Sequence, residues 1–315
     1  MRLIAGLNEK KVTMAVLGTG SHWNTEAILL AASKFCQKYQ LASIPVSVSM
    51  TFNYPHMPQA QRIMHCRNPR LGFLSMMEHL HLLADSPDSM YRHITVLPHL
   101  DHADPEYDLW ALTEGSRMLA SAMFDAQRYA PAQNVSLTRE YVANYGRNLL
   151  VEGILEELPV ADKHAVAAEA CADHYLDRAG EYVKNTGIDF LVADLGTEQQ
   201  SASTCGAHYL QDRARQLTAI LGRDMLVLHG TSSLAQNQMQ GLAEDGVIRV
   251  NMWTKIAREA GQYAASRLAS RADALASNDF EAAESHQYLM DSVDKASDLM
   301  VAILEALNYP NLARQ

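Results

Sequence analysis

The chain has 315 residues, 48% hydrophobic and 20% charged, which is apolar material for a large core and excludes a disordered or low-complexity protein. A formal charge of -10 at pH 7 argues against a nucleic acid or an anionic membrane as partner, because either would repel a net anion. Small molecules and protein subunits remain.

Cys36, Cys66, Cys171 and Cys205 show no paired spacing, so reduced thiols are expected in place of a disulfide frame or zinc knuckle. The opening MRLIAGLNEKK lacks the apolar core of a signal peptide, and no later run approaches the roughly 20 apolar residues of a membrane helix. A cytoplasmic protein is the expectation.

In chain order, residues 12–17 read as a strand and 25–39 as its helix. Between them Gly18-Thr19-Gly20-Ser21 reads as a strand-end turn, since the lysine of a phosphate loop is missing, with Asn24 as a lesser contact. A second strand spans 44–50. The segment 51–69 is too long for an idle connection and reads as a lid or binding loop. Its arginines Arg62 and Arg67, with Arg70 just beyond, suit an anion clamp or a solvated face. In the next helix, 71–84, His79 and His81 fall on opposite sides, which disfavours joint metal binding.

Ile94 to Pro105, ITVLPHLDHADP, is the centre of the chain. Ile94, Val96 and Leu97 read as a buried strand that ends in His99, Asp101 and His102. Asp104 is placed to cap, and Pro105 to begin, a helix running to about Leu119. Strands then follow at 121–125, 149–154, 189–194, 225–229 and 247–251. The helices between and after them are at 137–145, 163–184, 209–221, 233–244, 254–276 and 280–307.

Eight strands, each followed by a helix, point to a (β/α)8 TIM barrel, with a doubly wound open sheet as the alternative. No linker marks a boundary, so a single domain over 1–315 is expected, with 280–307 as a C-terminal helical extension. The apolar stripe Met290, Leu299, Met300, Ile303 and Leu304 suggests a homo-oligomer, although packing on the chain's own barrel would produce it too.

Active sites of such barrels lie at the carboxyl ends of the strands. Those ends offer Asp101 and His102, Asp125, Glu152, then Thr197, Glu198 and Gln199, then His229 with Gly230, Thr231 and Ser232, and finally Asn251 and Thr254. Imidazoles with carboxylates suit a divalent transition metal that polarises a substrate oxygen. Asp125 fits an orienting acid better than a proton donor.

These residues carry a resemblance. HLDHADP resembles the HLDHG segment of class II, metal-dependent fructose-bisphosphate and tagatose-bisphosphate aldolases. The likeness continues in order through SAMFDA, VEGILEE, DFLVADLGT, LVLHGTSS and GVIRVNMWT, over roughly residues 12–255. It implies a (β/α)8 barrel, a catalytic Zn2+ (or Mn2+, Co2+ or Fe2+), and reversible aldol cleavage of a ketose. It further implies His102 and His229 as metal ligands, Asp101 as the proton shuttle, Asn251 as a contact to the donor half of the substrate, and Glu152 as a substrate-binding glutamate. Retro-aldol cleavage leaves an enolate, so positive charge at the ketone oxygen and a base at the neighbouring hydroxyl are the two requirements.

The departures are informative. The family's GTSHG, with its second metal histidine, is Gly196-Thr197-Glu198-Gln199-Gln200 here. Gln199 takes the histidine's place without a gap, whereas a one-residue shift brings in Glu198, chemically the better ligand. His208 is a further candidate. The phosphate-binding GGSG becomes Gly230-Thr231-Ser232-Ser233, NVDT becomes Asn251-Met252-Trp253-Thr254, and the lysine-bearing loop has no counterpart in 200–206. A standard bisphosphate substrate is therefore not expected. Three readings stay open: an aldolase of a modified sugar or sugar acid, a metal-dependent isomerase or epimerase, and a noncatalytic subunit.

Overall fold

In the computed structural model, residues 2–156, 172–197, 209–231, 234–277 and 286–314 are described. Eight strands form a closed barrel, each parallel to the next. They are β1 (Met14–Gly18), β2 (Pro45–Thr51), β3 (Thr95–Ala103), β4 (Ser121–Phe124), β5 (Leu150–Ile154), β6 (Phe190–Val192), β7 (Leu226–Leu228) and β8 (Val247–Met252). The expected TIM barrel is the fold, and the open sheet is excluded by the β1–β8 pairing.

Helices wrap the barrel. Helix α1 (Arg2–Glu9) is an element that sequence periodicity did not announce, and it buries Ile4 and Leu7. After it come α2 (His22–Tyr39), α3 (Gln59–Ile63) inside the segment read as a loop, and α4 (Pro69–Asp85). The helix expected over 105–119 is instead a turn, a short α5 (Leu109–Leu112) and a 3-10 turn at Gly115–Met118. Asp104 still caps this turn, its Oδ1 accepting from the Glu106 and Tyr107 amides at 2.8 and 3.0 Å. The remaining helices are α6 (Pro131–Tyr145), α7 (Ala172–Thr186), α8 (Gln211–Leu221), α9 (Gln236–Gly241), α10 (Thr254–Ala269), α11 (Ala272–Ala276) and α12 (His286–Ala306). None among the described residues is long and apolar enough to cross a membrane.

Helix α12 packs on α2 and α10, burying Val293, Ala296, Met300, Ile303 and Leu304. Lys34 and Lys38 of α2 reach Asp298 and Glu305 of α12 at 2.8 and 2.5 Å. The stripe that suggested an oligomer is thus consumed largely by the chain's own barrel, leaving Met290 exposed.

Strand β3 runs further than its sequence suggested. It passes through Pro98, which sits one residue below the first β3–β4 pair, His99 with Ser121, so its missing N–H breaks no ladder bond. Val96 and Leu97, expected buried, are only half-buried. Higher up, the register shifts between Leu100 and Ala103, and His102 has φ +47°. That bulge matters for the site.

The two ends of the chain meet at the N-terminal end of the barrel. The Tyr309 hydroxyl accepts from the Ala15 amide at 3.1 Å and donates to the Pro45 carbonyl at 2.9 Å, fully buried, so the last turn stitches β1 to β2. Tyr309→Phe leaves both groups unpaired and is expected to lower stability by about 1–3 kcal/mol, read as a lower denaturant midpoint at unchanged slope.

Candidate active site

A regular strand turns successive side chains to opposite faces. The bulge at His102 removes that constraint, and Asp101 and His102 line the same cavity at the C-terminal mouth. The left-handed backbone at a non-glycine residue is strain of about 1–3 kcal/mol, held by the surrounding structure. Across the barrel, His229 follows β7, with Gly230 at φ +71° turning the chain away from it.

The donor atoms converge. Ligand-type atoms of Asp101, His102 and His229 all lie within 4.8 Å of one another. The two imidazoles meet edge to face, centroids 5.0 Å apart. His102 Nδ1 lies 2.8 Å from Asp125 Oδ2; the ionised carboxylate only accepts, so Nδ1 carries the proton and Nε2 presents a lone pair. Tyr54 stacks on the same ring at 4.3 Å, nearly parallel. His229 Nε2 is buried with no hydrogen-bond partner among the described residues, and burial with the nearby His102 holds its pKa well below the usual histidine range. A buried lone pair with nothing to bind is what an imidazole ligand looks like before its ion.

Asp101 Oδ1 accepts from Asn251 Nδ2 at 3.1 Å, and burial raises its pKa above the usual aspartate value despite His102 alongside. Thr231 Oγ1 donates to the Asn251 carbonyl, and Thr197 Oγ1 to the His229 carbonyl, tying the ends of β6, β7 and β8 together. The loop bearing Tyr54 is anchored as well. Asp108, buried and pushed up to about 6 by that burial, accepts from the Asn53 and Asp104 amides, while Gln59 Oε1 accepts from the Thr51 amide.

Of the residues singled out in sequence, Asp101, His102, His229, Gly230, Asn251 and Thr254 line this one cavity. Glu198, Gln199, Ser232 and His208 lie outside the described residues. Asn24 is spent on the start of α2, its Oδ1 accepting from the Ser21 hydroxyl, and it does not line the cavity. Gly18 ends β1 and Thr19–Ser21 makes the expected turn, with Ser21 capping that helix. The three arginines of the second loop are all exposed and none lines the cavity; Arg70 lies over the Trp110 ring.

Two expectations need correction. His99 is not at the strand's exit but inside the barrel, Nδ1 2.9 Å from Ser121 Oγ and Nε2 3.6 Å from Glu152, because β3 continues past it. Glu152, expected to touch substrate, is fully buried below the cavity and pairs with Arg249 at 2.7 Å. Burial raises its carboxyl to about 7 even against the guanidinium's pull. Arg249 also reaches Ser121 Oγ (3.2 Å) and Ser47 Oγ (3.4 Å) and lies over Phe190. Sequence reasoning missed Arg249, Tyr54 and Gln59; the only signal for Arg249 was a charge at an inward position of an apolar strand.

The family model for fructose-bisphosphate aldolase class-II matches residues 6–311. This chain belongs to that family. A fructose-bisphosphate aldolase of Streptococcus pneumoniae serotype 4 is 28% identical over 175 residues, 55% of this chain and 58% of the relative. One from Helicobacter pylori is 27% identical over 164 residues, 50% of this chain and 51% of the relative. The chain thus spans little more than half the length of the curated relatives it matches. In fold it is similar to a fructose-bisphosphate aldolase of Campylobacter jejuni, at TM-score 0.78 and 16% identity over 98% of this chain and 93% of that one. The YdjI aldolase of Escherichia coli K12 superposes at TM-score 0.66 and 17% identity, over 97% and 95%. At 16–17% identity these likenesses show a shared barrel fold.

Removing one partner of a buried ion pair strands the other. Arg249→Met is expected to destabilise this aldolase-family barrel by about 3–5 kcal/mol, and Glu152→Gln in the same chain to recover much of it, measured as a double-mutant cycle in urea.

Proposed function

We propose that this chain is a divalent-metal-dependent aldolase that reversibly cleaves a ketose or sugar-acid derivative other than the standard bisphosphate. The observation that carries it is the convergence of Asp101, His102 and His229 within 4.8 Å, with the His102 tautomer set by Asp125. His102 and His229 would hold the ion, with Glu198 or Gln199 as the further ligand. A bound Zn2+, Mn2+, Co2+ or Fe2+ would supply positive charge at the ketone oxygen.

The chain's own residues do the rest. Asp101, shielded and raised in pKa, takes the proton of the hydroxyl at the bond being cleaved. The carbon–carbon bond then breaks to give an aldehyde, and the electron pair remains on the donor ketone as its enolate until a proton returns. Asn251 steers the carboxylate through its Nδ2 contact, and Gly230, Ser232, Asn251 and Thr254 position the donor half. Tyr54 covers His102 and limits water on that side. We read the chain as one barrel domain with α12 part of its wall, working in the cytoplasm on a small sugar, as a homo-oligomer. Its charge of -10 favours neither nucleic acid nor membrane.

Metal analysis of purified protein is expected to give a tightly held divalent ion, lost on His102→Ala or His229→Ala. Asp125→Asn is expected to weaken metal affinity about 10–100-fold. Asp101→Asn is expected to keep the metal while slowing cleavage by about 10²–10⁴. Product analysis decides the reaction: two carbonyl fragments support an aldolase, whereas an unbroken carbon skeleton, or wild-type metal binding in His102→Ala, overturns the proposal.

A further inference from the structure

Resting on the aldolase reading, we infer that the donor half of the substrate ends in a neutral group, as in dihydroxyacetone or hydroxyacetone, and that Trp253 is the wall that recognises it. Phosphates in barrels of this kind sit on the loops after strands seven and eight, against a glycine-rich backbone. Here Trp253, which follows β8, lies against the turn after β1. A methyl group added to Gly18 would come within 2.9 Å of Trp253 Cβ, and one on Gly20 within 3.3 Å of its Cη2, so the indole lies along the turn after β1. The Thr19 amide is already given to the Ser49 carbonyl at 2.8 Å.

Cationic side chains are missing as well. Among the described residues, no lysine or arginine lines the cavity. The segments 198–208, 232–233 and 278–285 contain neither residue, and 157–171 contains Lys163 alone. Three arginines near the rim are paired with acids of their own: Arg128 with Asp104 and Glu106, Arg178 with Glu156 at 2.8 Å, Arg213 with Asp194 at 3.5 Å. Lys255 is exposed and borders a separate apolar cavity under α12. Apart from the divalent ion that His102 and His229 would hold for the ketone oxygen, what remains is the first turn of α10 at Thr254, whose dipole amounts to about half an elementary charge. A phosphate ester brings about -1.5 to -2, next to the carboxylate of Asp101.

A neutral hydroxyketone faces no such deficit. Its hydroxyls find Asn251, Thr254 and Thr231, and its apolar face finds Trp253, Met252 and Met57, all on the cavity. The glycine-to-serine and aspartate-to-tryptophan departures then belong to one change, the conversion of an anion cradle into an aromatic wall.

The test is donor enolisation in D2O by metal-loaded protein, followed by NMR with dihydroxyacetone, hydroxyacetone and dihydroxyacetone phosphate. In it the donor's α C–H bond breaks, the proton passes to a carboxylate of the site, and a deuteron returns to the same carbon. Exchange at least about tenfold more efficient with the neutral donors, and unaffected by millimolar inorganic phosphate, is expected. Trp253→Ala is expected to raise KM for the neutral donor about tenfold at unchanged metal content, with Trp253→Phe close to wild type. Preference for the phosphorylated donor, competition by inorganic phosphate, or an unchanged KM in Trp253→Ala overturns this inference alone. Failure of every donor to exchange overturns the aldolase reading and this inference with it.

Discussion

Everything at the mouth of this barrel depends on a single backbone irregularity, the bulge that lets Asp101 and His102 share one face of β3. Without it one of the two would point into the helical shell, and the carboxylate and the imidazole could not line the same cavity. The surrounding structure holds the irregularity from both sides. Asp125 grips the His102 ring at Nδ1, Tyr54 lies flat on it, and Asn251 holds Asp101 from the far wall. The strain at φ +47° is thereby fixed in a direction useful to chemistry.

Beneath that layer the barrel is filled in an unusual way. Branched apolar side chains commonly occupy such interiors, but here Arg249, Glu152, His99, Ser121 and Ser47 form a connected polar floor. Such a floor is costly to build because both charges leave water, and it holds only while each partner is present. It also sets the field under the site. Burial raises Glu152 and Asp101 while Arg249 draws both back, so the acidity above is coupled to a pair that touches no ligand.

Among the described residues, aromatic and sulfur-bearing side chains line part of the rim. Trp253 covers the turn after β1, Tyr54 covers a histidine, and Met57 and Met252 line the same cavity. The exposed arginines of the second loop, which in sequence looked like anion clamps, face solvent.

Alternation of strands and helices in the sequence determined the eightfold barrel, because each βα unit announces itself by local periodicity and turn chemistry. The carboxyl-end positions of Asp101, His102, His229 and Asn251 were legible for the same reason, since a strand's exit is a local property. Tertiary structure alone decided how far β3 runs, and so that His99 is interior and His102 is not. It decided too that Glu152 belongs to Arg249, 97 residues away along the chain and 2.7 Å away in space. Periodicity reports which face a side chain takes, whereas depth along the barrel axis and the partner met there are set only when eight strands close with a particular register.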